Sequence, residues 1–162
     1  FAAHGHGNGV PMGGDLTNAP VDASPTFLIR ALRDPDRANL DRVQVIKGWT
    51  TADGDTEEKI YDVAWSGDRA PGADGKLPPV GNTVDVENAS YTNAIGAAVL
   101  QAFWEYPDFD PGQRAFYYVR VLEIPTPSWL VYDRAVFGVE IPEGKQTAQQ
   151  ERAYTSPIWY TP

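Results

Sequence analysis

Cysteine is absent from all 162 residues, which removes disulfides, thiol nucleophiles and thiolate metal sites, and leaves either a reducing or an oxidising compartment open. Histidine occurs only twice, as His4 and His6, so few imidazoles are available as a base. Basic residues are outnumbered, 13 Lys and Arg against 22 Asp and Glu, for a formal net charge of −9. A nucleic-acid backbone or an anionic membrane surface needs a basic face, and neither is an expected partner. No apolar run approaches the roughly 18 residues of a membrane span, so no membrane insertion is expected. No cleavable signal pattern stands at the start. Gly-x-Ser-x-Gly, P-loop and dinucleotide fingerprints are all missing, since the Gly-rich GNGVPMGGD neither follows a strand nor opens a helix.

What is present is punctuation and alternation. Fifteen glycines and 14 prolines separate short segments of period two, which predicts an all-β chain, an immunoglobulin-like or related antiparallel β-sandwich with long loops. TFLIRALRD sends Phe27, Ile29 and Ala31 one way and Leu28, Arg30 and Leu32 the other. LDRVQVIKGWT and EEKIYDVAWSG, joined by TADGDTE, predict an antiparallel hairpin. AAVLQAFWEYPDF fits a helix or a strand, with its aromatics favouring the strand. RAFYYVRVLEI is the clearest strand, following an acidic turn as a tyrosine corner would. RAYTSPIWY, broken by Pro157, is expected at an edge or as a bulged strand that buries Ile158. Residues 1–25 read as a Gly/Pro-rich opening segment and 26–162 as one domain. The start at Phe1 suggests a piece of a longer protein, and Ile158, Trp159 and Tyr160 suggest a natural C-terminus tied into a sheet.

Few constellations could carry chemistry. His4-x-His6 on an extended strand would point both rings to one side, as a metal pair requires. It lacks further ligands and sits among glycines. Asp53 and Asp55 in DGDTEE resemble a calcium-chelating run but lack the EF-hand spacing, and read more simply as a solvated hairpin tip. Asp108 and Asp110 could pair as acid and base, though turn-forming aspartates before prolines explain them better. No catalytic residue and no metal ligand set is therefore assigned, with His4, His6, Asp53 and Asp55 only weak candidates. Trp49 and Trp65 fill a core at alternating positions, whereas Trp104, Trp129 and Trp159 are free to face a groove or interface.

The strings GVPMGGDL, DRVQVIKGW, EKIYDVAWSG, DGKLPPVGNTVDV, PDFDPGQRAFYYVRVLEIPTP and ERAYTSPIWYTP together resemble the C-terminal part of a large bacterial domain-of-unknown-function family. Its full-length members look like relatives of the PHP-superfamily metallohydrolases, including the carbaryl-hydrolase-like branch. The resemblance implies that the divalent metal and its ligands belong to an upstream catalytic domain, with no cofactor in this segment. His4 and His6 copy the family's first metal motif superficially, but they precede GVPMGGDL, which follows the catalytic domain in the family's order. They are not carried over as ligands. The expectation is a non-catalytic β module, inert alone, whose partner is the upstream catalytic domain of the same polypeptide. Its interface is expected in the loops at 67–93 and 124–129, through Pro78, Pro79, Asn82, Pro125, Pro127 and Trp129. The bacterial periplasm or the extracellular space is the expected location. The alternative is an independent carbohydrate- or calcium-binding module using exposed Trp and DGDTEE.

Overall fold

A computed structural model describes residues 2–17, 19 and 23–162; residues 1, 18 and 20–22 of the opening segment lie outside the described residues. Strand accounts for 39% of the chain and helix for 10%, so the protein is mostly β. In chain order the elements are α1 (Ala2–Asn8), β1 (Asp15–Thr17), β2 (Thr26–Leu32), β3 (Leu40–Thr50), β4 (Thr56–Trp65), β5 (Val99–Glu105), β6 (Ala115–Glu123), β7 (Thr126–Pro127), α2 (Trp129–Phe137), β8 (Ala148–Gln149), β9 (Arg152–Tyr154) and β10 (Ile158–Thr161).

The main sheet runs β1-β10-β6-β3-β4, with β9 also on β6. β3 and β4 form the expected antiparallel hairpin, Ile46 opposite Ile60, with an irregularity between Val43 and Gln44. β6 lies antiparallel to β3 along most of its length, Val45 opposite Val119. β2 and β5 pair antiparallel as a separate ribbon, from Thr26↔Glu105 to Leu32↔Val99. A third, two-stranded sheet joins β7 to β8.

One expectation needs correction: the main sheet is mixed, because β1 runs parallel to β10, Leu16 opposite Tyr160. Parallel neighbours cannot be joined by a tight turn. Closing this pair across almost the whole chain is therefore a tertiary event that strand patterning does not announce.

The core lies between the ribbon and the main sheet. Ile29 and Ala31 from β2, Leu100 and Ala102 from β5, Val43 and Val45 from β3, Tyr117 from β6 and Tyr160 from β10 form one buried cluster with Tyr106. Phe27, Trp49, Trp104 and Val119 pack against its margin. The inward residues are those that alternation places on one face, and burying each large aliphatic contributes roughly 1.5–3 kcal/mol. β9 and β10 are one broken strand beside β6: Ala153 pairs with Val121 and Ile158 with Tyr117, on either side of the Pro157 interruption. β10 is not an edge, since β1 covers its far side. Its deepest side chain is Tyr160, and Ile158 is only half-buried. The Tyr160 hydroxyl donates to the Pro111 carbonyl at 2.7 Å. A tyrosine–backbone tie to the turn before β6 is thus present, supplied by β10 and not by β6.

The long connection from β4 to β5 contributes to the interior. Leu77 is buried, and Asn39 holds the end of the connection, its Nδ2 donating to the carbonyls of Asn93 and Ile95 at 3.1 and 2.9 Å. Gly96, at φ +81, lies so close that a Cβ would meet Asn39 Cβ at 2.6 Å and Ile124 Cγ2 at 2.7 Å. Only glycine meets both demands.

Candidate functional site

The first metal candidates fall on α1. Two residues apart on a helix, His4 and His6 point to different sides of the axis. Both are exposed. Asn8 caps the same turn, its Nδ2 donating to the His4 carbonyl at 3.0 Å. A Cβ at Gly5 would lie 3.6 Å from Leu28 Cδ2, which places α1 against the outward side of β2. Asp53 and Asp55 are exposed in the β3–β4 turn. There the Asp55 amide donates to Thr51 Oγ1 at 3.1 Å and its carbonyl accepts from the Thr51 amide at 2.8 Å. Among the described residues, no three His, Asp or Glu side chains gather into a group that could hold a metal ion.

Asp108 and Asp110 have separate roles. Asp110 Oδ1 accepts the Gly112 amide at 2.8 Å, a turn aspartate. Asp108 instead reaches β4, accepting from Lys59 Nζ at 2.6 Å and from the Tyr61 hydroxyl at 2.9 Å. Its hydrogen bonds to Lys59 and Tyr61 hold its carboxyl below the ordinary range. Tyr61 and Tyr106 stand hydroxyl to hydroxyl at 3.4 Å, and burial is the main cause that pushes each up to about 12. Lys47 is buried beside them, donating to Gln113 and lying 4.6 Å from the Trp49 ring centroid. At neutral pH these phenols are protonated, and the cluster fixes this end of the core.

The deepest charged group is Asp41, only 1% exposed. It accepts from Arg69 Nη2 at 2.7 Å, Arg42 Nε at 3.1 Å and Gln150 Nε2 at 2.9 Å. Arg69 also donates to the Pro78 carbonyl at 2.8 Å and Arg42 to Asp62 at 3.4 Å. This network fastens the β4–β5 connection and the segment before β9 onto β3. Its carboxylate is saturated with donors, which makes it a tether and not a reactive group.

Two surfaces remain. Because Val43 and Val45 face the core, Gln44, Ile46 and Gly48 face away, and the residues opposite them on β6 are Arg120, Tyr118 and Phe116. β10 adds Trp159 opposite Phe116 and β9 adds Tyr154 opposite Arg120. The result is a row of four rings on the open face: Trp159 to Phe116 at 5.4 Å, Phe116 to Tyr118 at 6.3 Å, Tyr118 to Tyr154 at 6.2 Å. Trp159 and Tyr154 are at least half exposed. A shallow cleft beside Trp159 is lined by Thr50, Thr56, Glu57, Glu58 and Arg114.

The second surface is α2. Ser128 precedes the helix and Gly138 ends it in the left-handed conformation, its amide bonded to the Arg134 carbonyl at 2.9 Å. These are ordinary start and stop signals that could have revealed it. Val131 is the side chain it buries, and Arg134 donates to the Val86 carbonyl. Trp129, Tyr132 and Val136, spaced i, i+3 and i+7, face solvent together with Phe137 and Val139.

The residues expected at an interface divide accordingly. Trp129 is 63% exposed at the start of this apolar helix. Pro125 is half-buried and Pro127 fully buried in β7. Pro78 and Pro79 are exposed, with the Pro78 carbonyl turned to Arg69. Asn82 is also exposed, and its Oδ1 accepts the Val84 amide at 2.9 Å in a local turn.

Taken together these features define a β-rich domain with two exposed apolar or aromatic faces and, among the described residues, no assembled metal-ligand group. The chain belongs to the DUF3604 family of proteins of unknown function, whose family model matches residues 1–162. No curated protein and no solved structure matches it.

Proposed function

We propose that this chain is a non-catalytic module of immunoglobulin-like sandwich type that packs against the catalytic domain of a larger, metal-dependent hydrolase. The divalent metal belongs to that other domain, and the assembly works in the bacterial periplasm or outside the cell. The fold half of the reading is supported by strand order. In immunoglobulin-type sandwiches strands B and E are neighbours in one sheet while C, F and G share the other, which the variable type extends with the C′ strand that follows C. β3, β4, β6 and β10 lie together here, and β2 pairs with β5.

The packing half rests on one observation, the apolar face of α2. A nine-residue helix with Trp129, Tyr132, Val136 and Phe137 all at least 43% exposed presents the kind of contiguous patch that marks an interaction site. It continues directly from the 124–129 segment that the sequence points to. Supporting the assignment away from catalysis, the carboxylates and phenols that cluster are tied up in structural bonds.

The test is amide hydrogen exchange along α2, compared between this chain alone and a polypeptide that carries the proposed catalytic domain ahead of it. Slower exchange over 129–137 in the longer polypeptide, reversed by Trp129→Ser with Phe137→Ser, is expected. Equal exchange in both would overturn the packing role.

The row Trp159–Phe116–Tyr118–Tyr154 favours a second reading, a carbohydrate-binding module, since aromatic faces stack on sugar rings. A glycan panel read by tryptophan fluorescence, with Trp159→Ala as control, separates the two readings.

A further inference from the structure

Independent of the packing role, the start of α2 carries the parts of a ligand site. Ser128 has the extended backbone of a helix cap, φ −69 and ψ 161, yet its side chain makes no capping bond. Serine is favoured there because its oxygen ordinarily accepts an amide of the first turn. Ser128 is only 5% exposed, and its Oγ is the one buried side-chain polar atom without a partner among the described residues. A buried hydroxyl in that state is unfavourable and calls for a physical reason.

The reason is found in what surrounds it. Ser128 lines a cleft of about 430 Å³ between the first turn of α2, at Trp129 and Leu130, and the turn that carries Lys145 and Gln146. The backbone groups of Ser128 itself are satisfied: its amide donates to the Thr147 carbonyl at 2.9 Å, and its carbonyl accepts from Val131 and Tyr132 at 3.0 and 3.4 Å. The amides of Trp129 and Leu130 belong to the first turn, where no intrahelical carbonyl exists for them. They carry the positive end of the helix dipole. Lys145 and Gln146 line the same cleft, residues whose side chains carry an ammonium group and an amide. Glu140 and Glu143, nearby in sequence, are not among the lining residues. A set of amide donors, a hydroxyl and an ammonium suits a negatively charged acceptor and repels a cation.

We propose that the first turn of α2, with Ser128 and Lys145, forms a binding site for a small oxyanion, a carboxylate or a phosphate group. The hydroxyl of Ser128 turns toward the anion and away from its own helix, which accounts for the missing cap. The site shares Trp129 with the apolar face of α2, but its donors are the first-turn amides, Ser128 and Lys145, and not the rings of that face.

The experiment is a ¹⁵N-resolved NMR titration of the chain with inorganic phosphate and, separately, with acetate, against sodium chloride at matched ionic strength. Saturable shifts of the Trp129 and Leu130 amides with at least one of the two anions, and not with chloride, are expected; the arm that saturates names the oxyanion. Lys145→Ala, at an exposed position, should weaken binding roughly tenfold, as loss of one charge-assisted hydrogen bond does. Absence of saturation with both anions overturns the site, as do shifts that persist unchanged in Lys145→Ala. Ser128→Ala should weaken binding as well; a lowered melting temperature with unaltered affinity would show that the hydroxyl is only a latent cap, and the site would fall.

Discussion

The Phe116 ring lies directly over Gly48 on the neighbouring strand: a Cβ built on Gly48 would sit 2.3 Å from Phe116 Cζ. The glycine is therefore a seat for the ring, and the seat positions the aromatic row, because Phe116 contacts both Trp159 and Tyr118. Gly48→Ala should force the ring off its strand. A destabilisation of about 1–3 kcal/mol is expected, the usual cost of overpacking, together with a changed Trp159 emission. Urea denaturation followed by fluorescence reads both, and an unchanged midpoint would show that the ring can move aside freely.

Asp41 is the second test. It is 1% exposed and bound to two guanidinium groups, each on a side chain 14% exposed. Replacing it with alanine leaves Arg69 without its counter-charge, and Arg42 with Asp62 alone, in a partly buried setting. Removing one partner of a buried pair typically costs about 3–5 kcal/mol, so Asp41→Ala should unfold well before the native chain. Asp53→Ala, at the exposed hairpin tip, should stay within about 0.5 kcal/mol, as remote surface changes do. Thermal melts of the two variants side by side decide the matter, and equal melts would reject the tether.

The pH dependence of stability has a local contributor in Glu123. Burial, followed by the neighbouring Glu151 charge, raises its carboxyl above the ordinary glutamate value. A raised acid holds its proton more tightly in the folded state, so ionisation destabilises the fold. That penalty is fully present above the folded pKa and disappears as the pH falls through it toward the unfolded value. Glu123→Gln should therefore raise the melting temperature at neutral pH and have little effect in acid below the glutamate range. A constant difference across the titration would assign the effect to something other than charge.

Tyr160 separates packing from hydrogen bonding at the end of the sheet. Its hydroxyl bond to Pro111 is a single contact, and Tyr160→Phe should cost about 0.5–1.5 kcal/mol. Its ring is 1% exposed within the core cluster, and Tyr160→Ala should cost about 3–5 kcal/mol, the range for removing a large buried aromatic. Similar losses in the two variants, measured by urea denaturation, would mean that the ring contributes little and the tie almost everything.

Several of these relationships follow from local pattern alone. Alternation in TFLIRALRD, VQVIKGWT and RAFYYVRV selects the inward faces, and Ile29, Val45 and Tyr117 are found there. The β3–β4 hairpin follows because its two strands are joined by a short turn and share one period. Side-chain direction along an extended chain is a local property, which is why twos and turns suffice to read it. The helix at 129–137 also had a local signature, Ser128 before it and Gly138 after, obscured by aromatic and β-branched residues that suit a strand equally well.

Other features were decided only by tertiary structure. Asp41, Arg69 and Gln150 meet across more than a hundred residues, and β1 joins β10 from the opposite end of the chain. The four-ring row is assembled from β6, β9 and β10, and its order depends on sheet register. The His4-x-His6 pair takes its orientation from a helix docked on β2 and not from its own spacing. In each case the partners are separated by long stretches of chain, and their meeting depends on loop closure and register that only the packed core can compensate.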